Sequence, residues 1–196
     1  MRKAMKILNR DPVMRKLVEK YGELTLTESR DYFTDLVRTI IGQQLSGKAA
    51  ATIWKRVAAL TGDDVSADKI LSVSDEALRQ AGVSSNKTRY IKNLAQAVID
   101  KFLNLESITD HDDEEIIRRL TAIKGVGNWT AEMFLIFSLA REDVFSLGDG
   151  GLSSAVNRLY GNGAVLCKDE ILSISEKWKP YRSIASLYLW RSLDNK

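Results

Sequence analysis

Two glycines and an aspartate are the residues whose type and spacing best suit chemistry. Gly125 and Gly127 flank one apolar residue between two helical stretches, and Asp149 precedes a third such stretch. Glycine permits a positive φ and lets another backbone approach closely. The amides of residues 125–130 should be unsatisfied donors at a helix start, and such donors suit a phosphate group. At the next helix start, a carboxylate would be held ionised and in one rotamer.

Both features also have a purely structural interpretation. A Gly-Val-Gly turn can join two antiparallel helices without touching a ligand, and an aspartate at a helix start can be only a cap. The flanking residues favour a functional role, because the turn carries Lys124 at its tip and leads into Trp129 and Thr130.

The elements around these residues are predicted to be helices, so the fold class is all-α. Apolar residues recur at helical spacing, as in the group Phe33, Leu36, Val37, Ile40 and Ile41. The short β-branched runs nowhere alternate over the length of a strand, and the chain has only two prolines.

Length and charge are compatible with one functional unit that contacts a polyanion. The 196 residues suffice for one well-cored domain or two small lobes, and the net charge of +3 is only mildly basic. Its distribution is more informative, since residues 38–56 carry four basic and no acidic side chains, and residues 84–101 carry four basic and one acidic. These stretches are candidates for a groove that binds a nucleic-acid backbone.

Cysteine and histidine usage argues against several kinds of site. A single cysteine, Cys167, excludes an internal disulfide and a four-cysteine iron–sulfur cluster. No cluster of histidine, cysteine and carboxylate side chains has the spacing of metal ligands, so no catalytic metal is expected. The basic N-terminus leads into no apolar signal core, and no apolar run is long enough to span a bilayer.

Four segments, in this order, resemble the 3-methyladenine DNA glycosylase II family of the helix-hairpin-helix/Gly-Asp superfamily. They are residues 40–46, 82–87, 120–133 with Asp149, and 178–190. The resemblance implies two helical lobes with an active-site cleft between them, residues 34–122 forming one lobe and residues 1–33 with 123–196 the other. The helix-hairpin-helix would span about residues 113–140. Larger members of the family add an N-terminal β domain, and this chain is expected to be a minimal form without it.

The resemblance assigns a role to each candidate site residue. Asp149 would be the catalytic carboxylate, and Trp129, Met133 and Trp190 would line the pocket for a flipped base. An indole face also suits an electron-poor alkylated purine through cation–π attraction of about 0.5–2 kcal/mol. Phe137 follows Met133 at helical spacing and is expected to be a core residue.

The remaining assignments concern the DNA backbone. The expected DNA-binding residues are Gln43, Gln44, Ser85, Lys124, Gly125, Gly127 and Thr130. Related enzymes insert a bulky residue into the gap left by the flipped base, and here the matching loop, residues 84–86, is small and polar. Either Gln43 or Gln44 is therefore expected to fill the gap, or the wedge is weaker. The carbonyls of Thr121, Ile123 and Val126 would hold a structural Na⁺ or K⁺, and no cofactor is expected to be required for catalysis.

The activity implied by the resemblance is that of a monofunctional DNA glycosylase in base excision repair. It would flip alkylated purines of the 3-methyladenine and 7-methylguanine type out of duplex DNA, hydrolyse the N-glycosidic bond and leave an abasic site. Bifunctional relatives place a lysine where this chain has Trp129, so no strand cleavage is expected. A same-fold glycosylase for hypoxanthine, uracil or an oxidised purine is one alternative, and a non-catalytic helix-hairpin-helix DNA-binding module is another.

The expected partner is damaged double-stranded DNA, with the protein a monomer that contacts no membrane. The expected compartment is the cytoplasm, at the nucleoid, in a prokaryote, or the nucleus in a eukaryote.

Overall fold

The computed structural model describes residues 2–193, and within them the regular structure is helical with no β-strand. The predicted all-α class is therefore confirmed. The chain divides into two compact units, one formed by the residues up to Glu28 together with those from Leu135 onward, the other by Ser29–Phe134. We call them the terminal unit and the middle unit. No helix in residues 2–193 combines the length and the apolar character needed to cross a membrane.

The middle unit contains seven α-helices and one 3-10 turn, Ile108–Asp110. The α-helices are α3 (Tyr32–Gly42), α4 (Gly47–Leu60), α5 (Ala67–Ser72), α6 (Asp75–Gln80), α7 (Ser85–Ile99), α8 (Asp113–Thr121) and α9 (Asn128–Met133).

Helix α3 is the centre of the middle unit. The five apolar residues predicted from its helical spacing are all buried: Phe33, Leu36, Val37, Ile40 and Ile41. Asp31 begins the helix by accepting a hydrogen bond from the amide of Thr34 at 3.0 Å. Helices α4, α7 and α9 all pack against α3, and α5 and α6 pack against α7.

The terminal unit contains the first two and the last three α-helices of the chain. They are α1 (Arg2–Leu8), α2 (Pro12–Tyr21), α10 (Gly150–Tyr160), α11 (Lys168–Glu176) and α12 (Arg182–Leu193).

A buried polar network joins three parts of the terminal unit. Asp11, the N-cap of α2, accepts hydrogen bonds from the Val13 amide at 2.8 Å, the Tyr160 hydroxyl at 2.9 Å and the Trp178 indole at 3.2 Å. Burial and the Asp11 charge raise the pKa of Tyr160, so this phenol stays a protonated donor. The carboxylate therefore has hydrogen-bond donors although it is buried, and in the same unit α12 packs on α10 and α2.

The observed division of the chain differs from the lobes expected, residues 34–122 and residues 1–33 with 123–196. The hairpin belongs to the middle unit, and the boundary falls near residue 134. The cause is packing, because Ile123, Val126 and Ala131 are buried and α9 contacts both α8 and α3.

A π-helix, Phe134–Ser138, follows α9 and changes the phase of the side chains. Each π turn holds more residues than an α turn. Phe137 therefore leaves the face that carries Met133 and is 49% exposed, whereas Met133 is buried. The expectation that Phe137 is a core residue was wrong, because it assumed an uninterrupted α-helical period.

Candidate active site

Asp149 is held by hydrogen bonds at the start of α10. Its Oδ1 atom accepts from the Leu152 amide at 2.7 Å and from the Trp190 indole at 3.0 Å. The residue is only 9% exposed. The backbone amide of Asp149 also donates to the Ser146 carbonyl at 3.0 Å. The carboxylate thus has both the capping position predicted from sequence and a fixed rotamer.

Gly151 leaves the space that this arrangement needs. A Cβ atom at this position would lie 3.0 Å from Asp149 Oδ1 and 3.3 Å from Trp190 Cδ1. A side chain here would therefore press on the carboxylate and on the indole that orients it.

Trp190 also contributes to an aromatic surface. Its ring centroid lies 5.4 Å from that of Phe137, with the two planes tilted by 33°. Both rings line a groove of about 360 Å³ that is completed by Leu24, Thr25, Leu187 and Arg191. The indole N–H of Trp190 therefore donates to Asp149, while its ring face can stack on a planar group.

The two glycines of the hairpin differ in what surrounds them. Gly125 has a φ of +108°, and a Cβ there would lie 2.1 Å from the Cγ atom of Tyr90. Gly127 has a φ of −95°, and no described atom would lie within 4 Å of its Cβ. Gly125 is thus required by the fold, whereas the space in front of Gly127 is open to another molecule.

Helix α9 begins without a side-chain cap. Its N-cap residue is Gly127, which has no side chain that could accept from the first amides of the helix. An uncapped helix start presents partially positive N–H groups, which suits an anion.

The Gln43-Gln44 loop is tied to the hairpin through one of its two glutamines. Gln43 Nε2 donates to Thr130 Oγ1 at 2.9 Å and to the Gly125 carbonyl at 3.4 Å. Gln44 is exposed and has a φ of +57°. Of the two glutamines expected to fill the gap in the DNA, Gln43 is already engaged within the protein and Gln44 projects from the loop.

Lys87 also anchors the Gln43-Gln44 loop. Its Nζ donates to the carbonyls of Ile41, at 2.8 Å, and Gln43, at 2.5 Å. Burial lowers the pKa of Lys87 from its usual value. The lysine therefore places a positive charge on carbonyls at the end of α3, where a cation is favourable.

Three expected DNA-binding side chains have different surroundings. Thr130 is 1% exposed and engaged with Gln43, so only its backbone amide, at the start of α9, suits a phosphate. Ser85, the first residue of α7, is exposed. Lys124 is exposed at the hairpin tip, and its carbonyl accepts from Asn93 Nδ2 at 3.1 Å.

The predicted base-pocket residues are divided between the two units. Trp129, half-buried, and Met133, 6% exposed, belong to the middle unit. Asp149 and Trp190 belong to the terminal unit, where they contact each other. The joint pocket expected for these four residues stays a prediction.

The carbonyls expected to hold a cation lie between Thr121, the last residue of α8, and the start of α9. Ile123 accepts a hydrogen bond from the Val126 amide at 3.0 Å, and a carbonyl oxygen has a second lone pair for a cation. Such neutral oxygens at a helix C-terminus suit Na⁺ or K⁺. Within residues 2–193, no group of three or more histidine, cysteine and acidic side chains could hold a metal ion.

Sequence reasoning missed the supports of the hairpin and the loop. Tyr90 packs against Gly125, and Lys87 anchors Gln43. The sequence does not indicate the contact of Tyr90 with Gly125, because Tyr90 is simply one of several apolar positions at helical spacing on α7. Lys87 belongs to the segment 82–87, but the residues of that segment do not indicate that its Nζ donates to the carbonyls of Ile41 and Gln43.

Comparison with known proteins places these features in a family. Residues 37–180 match the profile of the HhH-GPD superfamily base excision DNA repair proteins. DNA-3-methyladenine glycosylase 1 of Schizosaccharomyces pombe is 33% identical over 180 residues, which are 90% of this chain and 79% of that protein.

Two solved structures are similar over nearly the whole chain. The DNA-3-methyladenine glycosidase of Bacillus halodurans is 41% identical with a TM-score of 0.82, covering 96% of this chain and 88% of that one. The 3-methyladenine DNA glycosylase of Schizosaccharomyces pombe, solved in complex with abasic DNA, is 32% identical with a TM-score of 0.91, covering 98% and 97%. This chain belongs to the HhH-GPD superfamily of base excision DNA repair proteins, within the 3-methyladenine DNA glycosylase family.

Proposed function

We propose that this protein is a monofunctional DNA glycosylase that excises alkylated purines of the 3-methyladenine and 7-methylguanine type from duplex DNA. The observation that carries the proposal is the Asp149 carboxylate, 9% exposed and fixed by the Leu152 amide and the Trp190 indole. In a member of a base excision repair family, a carboxylate held in this way is the strongest candidate for the reacting group.

The reaction begins with a flipped nucleotide, because the glycosidic bond cannot be reached inside the duplex. As the bond between C1′ and the base nitrogen breaks, its electron pair leaves with the base and positive charge grows on the sugar. Asp149 would stabilise this charge, or orient the water that adds to C1′ and then loses a proton. Both roles need a carboxylate in a fixed position, and the proposal is supported by the hydrogen bond that Asp149 accepts from the Leu152 amide at the start of α10.

Alkylated purines fit the aromatic surface of the terminal unit. These bases are electron-poor or cationic, and the ring of Trp190 offers a face on which they can stack. Their glycosidic bonds are already weakened, so the enzyme does not need a strong acid to protonate the leaving group. The names of the similar glycosylases from Schizosaccharomyces pombe and Bacillus halodurans support the same substrate class.

The hairpin would bind one phosphate of the DNA backbone. The open space at Gly127 admits the phosphate, and the amides at the uncapped start of α9 would donate to it. Gln44 would enter the gap left by the base, since Gln43 is held by Thr130. Phosphate contacts position the duplex without reading its sequence.

No strand cleavage is expected after base removal. A glycosylase that also nicks the strand uses an amine to form a Schiff base. Trp129 occupies the position at which bifunctional relatives have a lysine, and Lys124 lies at the tip of the hairpin, before the turn. The product would therefore be an intact strand with an abasic site.

A monovalent cation would be a structural aid rather than a cofactor. The carbonyls of Thr121, Ile123 and Val126 would hold Na⁺ or K⁺, whose charge attracts the DNA phosphate. Catalysis would need no cofactor. The protein would act as a monomer on damaged double-stranded DNA, at the nucleoid in a prokaryote or in the nucleus of a eukaryote.

The test of the proposed function is release of free base from duplex DNA treated with dimethyl sulfate. We expect 3-methyladenine and 7-methylguanine in the supernatant, and strand breaks only after alkali is added. Release from duplexes containing hypoxanthine, uracil or 8-oxoguanine, but not from methylated DNA, would show that the lesion class is wrong. Binding of duplex without release of any base would show that the protein is a DNA-binding module and not a glycosylase.

The monofunctional mechanism has a separate test with sodium borohydride. Borohydride reduces a Schiff base to a stable covalent complex, so the unaltered protein should give none. Efficient trapping that is abolished by mutation of one lysine would show that the reaction class is misassigned.

A further inference from the structure

A small cationic depression lies on the middle unit beside the hairpin. Its volume is about 230 Å³, and its lining residues are Asp75, Arg89, Tyr90, Lys92, Asn93 and Lys124. Three of these six side chains are basic and one is acidic, so the depression has a surplus of positive charge.

The surplus positive charge resides on Arg89 and Lys124. Lys92 Nζ lies 2.6 Å from Asp75 Oδ1, and this ion pair lowers the pKa of Asp75. Within residues 2–193, neither Arg89 nor Lys124 has a carboxylate within 4.0 Å. Both are exposed, so their charges are available to a ligand from outside.

Arg89 is oriented without being neutralised. Its Nη2 donates to the amide oxygen of Asn86 at 2.5 Å, and this partner carries no charge. The remaining guanidinium donors form a planar fork that matches the oxygens of a phosphate.

The depression and the tip of the hairpin share their supports. Tyr90 packs directly against Gly125, and Asn93 donates to the carbonyl of Lys124 at 3.1 Å. Both supporting residues also line the depression. A strand held at the hairpin would therefore lie next to these cations, and each strand of a duplex carries one phosphate per about 3.4 Å of its axis.

We propose that this depression is a second phosphate site for the DNA backbone, separate from the uncapped start of α9, with Arg89 as its main ligand and Lys124 beside it. The site rests on the proposed function for the identity of its ligand, which is duplex DNA. It binds undamaged and damaged duplex equally, because its contacts are to the backbone.

The test is the salt dependence of binding to an undamaged duplex, measured by fluorescence anisotropy with the 196-residue protein. The logarithm of the binding constant falls linearly with the logarithm of salt concentration, with a slope of about −0.9 for each phosphate neutralised in B-DNA. Arg89→Ala should make the slope shallower by about 0.9. Arg89→Lys keeps the charge and should keep the slope closer to that of the unaltered protein.

Arg79→Ala is the matched control. Arg79 lies in the same unit, does not line the depression and is paired with Glu76, so its loss changes the net charge by the same amount without removing the proposed contact. Its slope should equal that of the unaltered protein. Equal slopes for Arg89→Ala and Arg79→Ala would overturn the proposal.

A series of duplexes that carry one abasic-site analogue, which fixes the position of the protein on the DNA, and that are trimmed from one end provides a second measurement. Affinity of the unaltered protein should drop in one step when the phosphate bound at Arg89 is removed, and Arg89→Ala should lack that step. A step that persists in Arg89→Ala would also overturn the proposal. Neither readout requires base release, whose absence would count against the proposed function alone.

Discussion

Two helix starts, at α9 and at α10, use the same backbone geometry in opposite ways. Gly127 begins α9 with no side-chain cap and with open space in front of it. Asp149 begins α10 with a carboxylate that accepts from the Leu152 amide at 2.7 Å. Both starts expose partially positive N–H groups. At α9 the anion must come from outside, whereas at α10 the protein supplies its own.

The difference shows how a helix N-terminus can serve either binding or chemistry. A start without a capping side chain suits an anion that binds from outside, such as a phosphate. An occupied start fixes a charged group in one rotamer, and the Trp190 indole then adds a second donor to Asp149 Oδ1. The side chain at the N-cap position determines which of the two uses is possible.

Asp149→Asn should have the largest effect, because the amide retains the cap but removes the charge. We expect single-turnover excision of 3-methyladenine to fall by at least about 100-fold, the size typical for loss of a preorganised electrostatic group. Folding and duplex binding should be retained. Asp31→Asn, an identical change at the N-cap of α3, is the control and should leave excision unaffected. Excision near the unaltered rate in Asp149→Asn would show that this aspartate is only a cap.

Gly127→Val should weaken DNA binding while the protein still folds. The backbone at Gly127 is compatible with any residue, but the side chain would occupy the open space at the start of α9. Hydrogen bonds to a charged group contribute about 1.5–3 kcal/mol, so affinity should fall about tenfold or more. The loss should be equal for damaged and undamaged duplexes in an anisotropy titration. A loss confined to damaged DNA would contradict a backbone contact.

Gly125→Ala is the matched substitution on the other side of the turn, and it should act on folding. The positive φ of +108° and the 2.1 Å approach to Tyr90 should together destabilise the protein by roughly 2–5 kcal/mol. The free energy of unfolding in urea measures this effect. Equal stability for the alanine variants at positions 125 and 127 would remove the distinction between the two glycines.

Trp190→Phe should lower excision less than loss of the Asp149 charge, by about tenfold. Phenylalanine keeps an aromatic face but lacks the N–H that donates to Asp149 Oδ1 at 3.0 Å. The maximal single-turnover rate should fall, while the enzyme concentration at half-maximal rate stays nearly constant. The opposite pattern would indicate that Trp190 acts mainly as a stacking surface.

Glu170→Gln should have the smallest effect and should act on stability alone. Glu170 accepts a hydrogen bond from the Cys167 amide at 2.7 Å at the start of α11, and this bond lowers its pKa below the usual 4.5. A lowered folded-state pKa means that the contribution is present above pH 4.5 and is lost as the pH falls through the folded-state value. Thermal unfolding should therefore distinguish the two proteins at pH 7 and progressively less in acid. Excision should be unchanged, since this helix start serves neither binding nor chemistry.

Much of the fold was predictable because helical spacing and caps are local signals. The apolar face of α3 and the start of α10 at Asp149 are both present as predicted. The hairpin helices also lie where the sequence indicated, with α8 at Asp113–Thr121 and α9 beginning at Asn128. Each of these features depends on neighbours within a few residues along the chain.

The features that escaped prediction depend on contacts between distant residues or on an irregular helix. The bond from Trp190 to Asp149 joins residues 41 positions apart, and that from Gln43 to Thr130 joins residues 87 positions apart. The π-helix at Phe134–Ser138 shifted Phe137 to an exposed position against Trp190. The periodic pattern of apolar residues carries no information about these contacts. The sequence therefore indicated candidate side chains, such as Trp190 and Gln43, but not the residues that they contact.

The approach of Tyr90 to Gly125 has a consequence for how the family can diverge. A Cβ at position 125 would meet Tyr90 Cβ at 2.4 Å, and that atom is attached directly to the backbone of α7, so a change of rotamer cannot relieve the overlap. Positions 90 and 125 are therefore constrained to evolve together. Loss of the Tyr90 side chain would remove this overlap but would leave the φ of +108°, so Tyr90→Gly should recover at most part of the stability that Gly125→Ala loses.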